Sequence, residues 1–314
     1  MWAQEVSDTQ SHWNRLESTV IAGQAGREFK IDYKKSMGYG QGMKAWLGIQ
    51  KKGNNYSKVI IRQYQVAHCN PTAVSILKSN KQMFVGDKAL TGFVELIKAE
   101  EGANRAEVLY LVLRGETTLY DSLEGQWIRD PKSMGHSDFQ KEMQTREGNL
   151  VRLCQQMLGQ LTLLHEQNYI NHKSERKHRV VVNNLTPNSI LLEPIRAGGG
   201  NAHEQGHSLQ HGTTERFNFH LGDLSQAVSD EPSPRVVRRE EWRDLAYTAP
   251  EVVLKGEYGC ATDVWSLGCV VFEILNLGER LVPGAYFWSG LQSIKEREQY
   301  VRNKLVELQV RLAH

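Results

Sequence analysis

The sequence predicts an α+β fold of two lobes, a small β-rich lobe followed by a larger helical one. Three observations predict it. Residues 31–114 carry short runs of β-branched and aromatic residues separated by glycine and asparagine turns. Beyond about residue 117, apolar positions recur at three- and four-residue steps. A chain of 314 residues that is 40% hydrophobic and 24% charged has enough apolar surface for a full core. The formal charge of +2 calls for neither a nucleic acid nor an anionic membrane as partner, and no apolar run reaches the length of a membrane span. The opening residues lack the basic-then-apolar order of a secretory signal. Cys69, Cys154, Cys260 and Cys269 stand too far apart for a ligand cluster, so four thiols in an intracellular reducing compartment are expected.

Taken in order, residues 1–28 form a polar lead-in segment or a short helix, with Trp13, Leu16, Val20 and Ile21 as its apolar positions. The small lobe is expected over residues 29–116. Its strands are 45–49, 58–62 and 108–113, and residues 87–101 alternate charged and apolar side chains at helical spacing. The larger lobe is expected over 117–290. Leu150, Leu153, Cys154, Met157, Leu158, Leu161 and Leu164 make one wide helical stripe. Residues 263–277 are apolar nearly all round, which predicts a deeply buried helix. Residues 291–314 form an amphipathic helix with Ile294, Val301, Leu305, Leu308 and Leu312 on one side. Two polar insertions, 171–179 and 196–215, read as surface loops. The irregular spacing of His203, His207 and His211 in the second points to solvated side chains rather than metal ligands.

Motifs add more than architecture does. Gly38-Tyr39-Gly40-Gln41-Gly42 lies between two expected strands, where missing side chains let backbone amides approach a phosphate. Then come Val59-Ile60-Ile61-Arg62, Leu185-Thr186-Pro187-Asn188-Ser189-Ile190-Leu191-Leu192 and His220-Leu221-Gly222-Asp223-Leu224-Ser225. Thr248-Ala249-Pro250-Glu251 and Asp263-Val264-Trp265-Ser266-Leu267-Gly268 complete the series. In that order they resemble the protein kinase family, over residues 30 to 277.

The resemblance implies a bilobal kinase-like fold in which Asp263 holds the catalytic-loop backbone and Glu251 anchors the end of the activation segment. It also exposes departures. Phosphoryl transfer needs a lysine on the phosphates, a carboxylate near the attacking hydroxyl, and metal ligands. Arg62 replaces the lysine, with a planar fork in place of a point charge. Asn184 replaces the catalytic aspartate, and an amide has no useful basicity near neutral pH. Thr186 replaces the catalytic-loop lysine, and Ser189 replaces the metal-binding asparagine. Asp223 survives, as a metal ligand or as a capping acid at a turn. Glu95, on the expected small-lobe helix, is the candidate partner of Arg62, with Glu100 and Glu101 as the alternatives in another register.

Gly38, Gly40, Gly42, Ile60, Arg62 and Glu95 would line a vestigial nucleotide cleft. Ile60 stands where the family carries an alanine against the purine, an overfilling that costs about 1 to 3 kcal/mol. Val182 and Leu224, for histidine and phenylalanine, suit the apolar column between the lobes. Ser229 and Ser233 lie near Arg235, Arg238 and Arg239; they read as ordinary loop serines, with phosphorylation that orders the segment by charge pairing as the alternative.

A catalytically inactive scaffold or interaction subunit is therefore expected. The alternatives are a weak or unconventional phosphotransferase, or a nucleotide-binding switch without turnover. No cofactor is expected, with weak ATP and magnesium binding as the alternative. Because 51 residues follow Asp263, the larger lobe reads as abbreviated. A protein partner is expected there or at the last helix, unless that helix folds back as the cover.

Overall fold

A computed structural model describes residues 2–40, 43–69, 71–79, 92–102, 105–123, 136–166, 169–170, 177–195, 216–229, 245–255, 257–276, 278–282 and 294–312. The chain opens with α1 (Trp2–Arg15), β1 (Ile21–Ala22), β2 (Arg27–Gly40), β3 (Met43–Lys52) and β4 (Asn55–Gln65). Next come α2 (Pro71–Ser79), β5 (Phe93–Glu101) and β6 (Ala106–Arg114). The six strands form one antiparallel sheet in the order β1-β2-β3-β4-β6-β5.

Strand alternation gives this sheet two coats. Val59 and Ile61 of β4 join Phe29, Ile31, Trp46, Val108, Tyr110 and Val112 in one cluster. Ile60 and Tyr64 point the other way, into a second cluster that continues through the larger lobe. The sheet curls until its ends meet: Glu95 of β5 pairs with the Arg27 guanidinium of β2 at 3.3 Å and accepts the Gln24 N–H. The lead-in contains a docked helix. Trp13 of α1 meets the Tyr56 ring edge-on at 6.0 Å, and Lys30 donates to the carbonyls of Trp13 and Leu16 at 3.3 and 2.9 Å, satisfying groups that a helix end leaves open.

The helix expected over 87–101 is not what forms. Residues 93–101 are β5, and 87–91 lie outside the described residues. The reason is tertiary. Strand β6 buries Val108 to Leu113 on both faces and needs a paired backbone on each side, which β4 and β5 supply. The helix of this lobe is α2, with Pro71 at its start, where a missing N–H costs nothing, and with Ala73, Val74, Ile76 and Leu77 buried.

The larger lobe contains β7 (Thr117–Thr118), α3 (Leu119–Ser122), α4 (His136–Glu166), β8 (Tyr169–Ile170), β9 (Lys177–His178) and β10 (Val180–Val181). It continues with β11 (Ile190–Pro194), β12 (Phe217–Leu221), β13 (Val228–Ser229), α5 (Pro250–Lys255), α6 (Cys260–Leu275) and α7 (Ile294–Leu312). Leu153, Met157, Leu161 and Leu164 of α4 are buried while Leu158 is exposed, so the stripe is narrower than its sequence suggests.

The same helix closes the outer edge of β12 with side-chain amides. Asn149 and Gln156 accept from the N–H groups of Phe217 and Phe219 at 3.3 and 2.7 Å. Gln160 accepts from Leu221 N–H at 2.8 Å and donates to the Phe219 carbonyl at 2.9 Å. An edge strand is thereby paired without a further strand.

Helix α6 corrects a second expectation. It is not buried all round: Val264 is 50% and Leu275 63% exposed, whereas Thr262, Asp263, Ser266 and Glu273 face inward. Its inner face is mixed: Leu267, Cys269, Val270 and Ile274 pack into the main cluster, and the polar residues among them tie down loops. Ser266 Oγ donates to the Tyr247 carbonyl at 2.7 Å, and the Tyr247 hydroxyl bonds to Glu273. Helix α7 packs on α5 and on residues 245–247, with Leu305 inside the main cluster.

None of the four cysteines is in a disulfide. Among the described residues no helix is long and apolar enough to cross a membrane. Gly42, Ser233 and its neighbouring arginines, residues 171–176 of the basic insertion and the three-histidine insertion lie outside the described residues.

Candidate functional site

The cleft between the lobes is built from β4, the loop 182–190 and the turn 222–225. The loop hangs from Asp263, which is fully buried. Its Oδ2 accepts from Val182 N–H and its Oδ1 from Asn183 N–H, both at 2.8 Å, and His165 Nε2 lies 2.9 Å from Oδ2. Asn183 adopts φ of 61°, a left-handed conformation that asparagine tolerates. Its side-chain amide donates to the Gln226 carbonyl at 3.3 Å, tying the loop to the segment after Asp223. Asn184 follows, half-buried.

Arg62 and Asp223 meet directly. Arg62 Nη1 stands 3.3 Å from Asp223 Oδ2, with side chains only 4% and 6% exposed. Nη2 donates to the Asn188 carbonyl at 3.2 Å, while Nε is buried without a hydrogen-bond partner. The other oxygen of Asp223 accepts from Ser225 N–H at 2.8 Å and from the Tyr64 hydroxyl at 3.4 Å. Burial, helped by the Asp223 charge, pushes the Tyr64 phenol above its ordinary pKa, so it stays a donor. Burial and then Asp223 push the Cys69 thiol up to about 11.

Glu95 is not in this cluster. Its place is the seam of the curled sheet with Arg27, and α2 (Pro71–Ser79) holds no acidic residue to replace it. The partner of Arg62 comes from the larger lobe instead.

Thr186 and Ser189 are occupied with each other. Ser189 Oγ accepts from Thr186 N–H at 2.9 Å and donates to the Thr186 carbonyl at 2.8 Å, closing a capping box around Pro187. Ile60 is fully buried. Gly115, at φ of 141°, lies so close that a methyl group on it would come within 3.2 Å of both Ile60 Cδ1 and Leu191 Cβ. Val182 and Leu224 are buried in the cluster that crosses between the lobes.

Gly38 and Gly40 pair with Ala45 and Met43 in the β2–β3 hairpin, Gly38 at φ of 125°. Glu251, in α5, accepts from the Thr262 hydroxyl at 3.5 Å. Ser229 sits in β13, paired with Val180.

A model of the protein tyrosine and serine/threonine kinase family matches residues 31–311, most of the chain. The chain belongs to the protein kinase family. Local similarity reaches 58% identity over 38 residues with a dual specificity tyrosine-phosphorylation-regulated kinase 3 homolog of Drosophila melanogaster, 12% of this chain and 4% of that protein. It is 39% over 64 residues with the serine/threonine-protein kinase prp4 of Schizosaccharomyces pombe, 20% and 12% of the two chains. With ephrin type-A receptor 3 of Danio rerio it is 35% over 57 residues, 18% and 6%. The matched stretches are thus a small part of the length of these relatives.

Within the kinase fold, sequence reasoning missed Tyr64, Asn188 and Ser225 as members of the site. Tyr64 was accessible to it, two residues beyond Arg62 on the same strand face. The other two act through backbone atoms, which leave no mark on residue type. A divalent ion at Asp223 would stand beside the Arg62 guanidinium, a like charge in a buried space, and Ser189 Oγ already has two backbone partners. This set of side chains does not fit a magnesium ion.

Proposed function

We propose that this protein kinase family member is catalytically inactive and serves as a scaffold or interaction subunit. The observation that carries the reading is the complete burial of Ile60 beside Gly115, at the motif position where the family carries the alanine that packs on the purine. Asn184 agrees with it, because an amide at the position of the proton acceptor leaves no base for the attacking hydroxyl. The apolar outer side of α6, with Val264 and Leu275 exposed, supports engagement of a protein through the larger lobe.

Heating the protein with millimolar ATP is the direct test, since a ligand that binds only the native state must raise its melting temperature. Wild type is expected to melt unchanged. Ile60→Ala is expected to lose about 2 to 5 kcal/mol of stability and to gain a nucleotide-dependent shift. A rise of several degrees in wild type, or steady transfer of labelled phosphate to a protein acceptor, defeats the reading.

A further inference from the structure

Arg62 joins three parts of the cleft through one side chain. It springs from β4 in the small lobe, and its two terminal nitrogens reach Asp223 and the Asn188 carbonyl, both in the larger lobe. A carboxylate as buried as Asp223, only 5% exposed, needs a compensating charge and donors. The protein supplies such partners itself: the guanidinium on Oδ2, and Ser225 N–H with the Tyr64 hydroxyl on Oδ1. A planar fork spans two acceptors in fixed geometry, whereas an ammonium offers a point charge. Tyr64 comes from the same strand as Arg62, so the small lobe contributes two of the contacts to a single carboxylate of the other lobe.

We propose that Arg62 is a built-in cation that takes the place of a divalent ion at Asp223 and locks the small lobe to the larger one. The chain then holds one lobe arrangement with neither metal nor nucleotide. The inference rests on the reading of the cleft as inactive and adds what keeps it closed: a partner meets a preset surface, not one that cycles with ligand.

The test uses the full 314-residue chain, millimolar MgCl2 or MnCl2 at matched ionic strength, and no nucleotide. Wild type is expected to show no metal-dependent change in melting temperature. In Arg62→Ala, amide hydrogen exchange across residues 185–190 and 223–229 is expected to speed up by about tenfold or more. Metal should slow it again, and adding Asp223→Asn should abolish that metal response.

If Arg62→Ala does not fold, Arg62→Lys keeps the charge but loses the fork, and the same segments should still exchange faster than in wild type. Stabilisation of wild type by metal alone, or unchanged exchange in the Arg62 variants, overturns the lock. ATP added without metal reports on Ile60 and the purine space alone, so failure of the cleft reading is seen separately.

Discussion

Glu193 and His220 are diagonal neighbours on β11 and β12, where Glu193 lies opposite Asn218 and His220 opposite Leu191, with His220 Nε2 at 3.0 Å from Glu193 Oε2. That hydrogen bond, working against burial and helped by the charges of His220 and Arg114, holds the Glu193 carboxyl below its ordinary value of 4.5. A carboxyl depressed in the folded state contributes stability that is fully present above its unfolded pKa. That contribution is withdrawn as the pH falls through the lower folded value. Melting temperature should therefore drop with acidification below pH 4.5, and less steeply in His220→Phe, which keeps a ring against Gly92 and removes the donor. Superimposable acid profiles for the two proteins would show that the pair contributes nothing. Burial, helped by the Glu273 charge, pushes the Cys269 thiol up to about 12, so this residue is inert packing in the same lobe.

Among the elements, α6 carries the connection that shapes the cleft. Its Asp263 holds the N–H groups of Val182 and Asn183, and His165 of α4 approaches the same carboxylate. Asp263→Ala would leave two buried donors without partners, a loss of about 2 to 6 kcal/mol at 1 to 3 for each. Urea unfolding would measure it, and a loss below 1 kcal/mol would mean that water replaces the carboxylate.

The strands at 45–49, 58–62 and 108–113 were legible because β-branched and aromatic residues alternate or cluster there between turns. So was α4, whose apolar steps survive in its buried face. Residues 93–101 were not, since a short apolar run fits both periods and only the need of β6 for a second neighbour decides between them. Nor was the orientation of α6. Apolarity suggested full burial, while the polar side chains that fasten the loops share the inner face with Leu267, Cys269, Val270 and Ile274 and leave Val264 and Leu275 outside. The substitutions at Arg62, Asn184 and Ser189 could be located from motif order alone. What Arg62 touches depends on Asn188 and Asp223, both more than a hundred positions away, and no local pattern encodes that.

At the scale of the whole molecule, one apolar cluster runs without interruption from the small lobe into the larger one. Ile60, Tyr64, Ile76 and Leu111 belong to it together with Met157, Leu191, Val270 and Leu305. The Arg62–Asp223 pair lies within this continuous interior, and α7 seals its far side through Leu305. A core shared in this way cannot lose one lobe without exposing apolar surface of the other, at about 25 cal/mol for each Å². The lobes should therefore unfold together. In urea, far-ultraviolet circular dichroism and tryptophan fluorescence are expected to give coincident transitions. The latter sums over the seven tryptophans of the chain, which include Trp13 and Trp46 in the small lobe and Trp265 in α6. Leu305→Asp, which places a charge in the sealed end, should lower both midpoints by the same amount. Two separated transitions, or a Leu305→Asp effect confined to one probe, would mean that the lobes are held by the Arg62 latch alone and not by a common core.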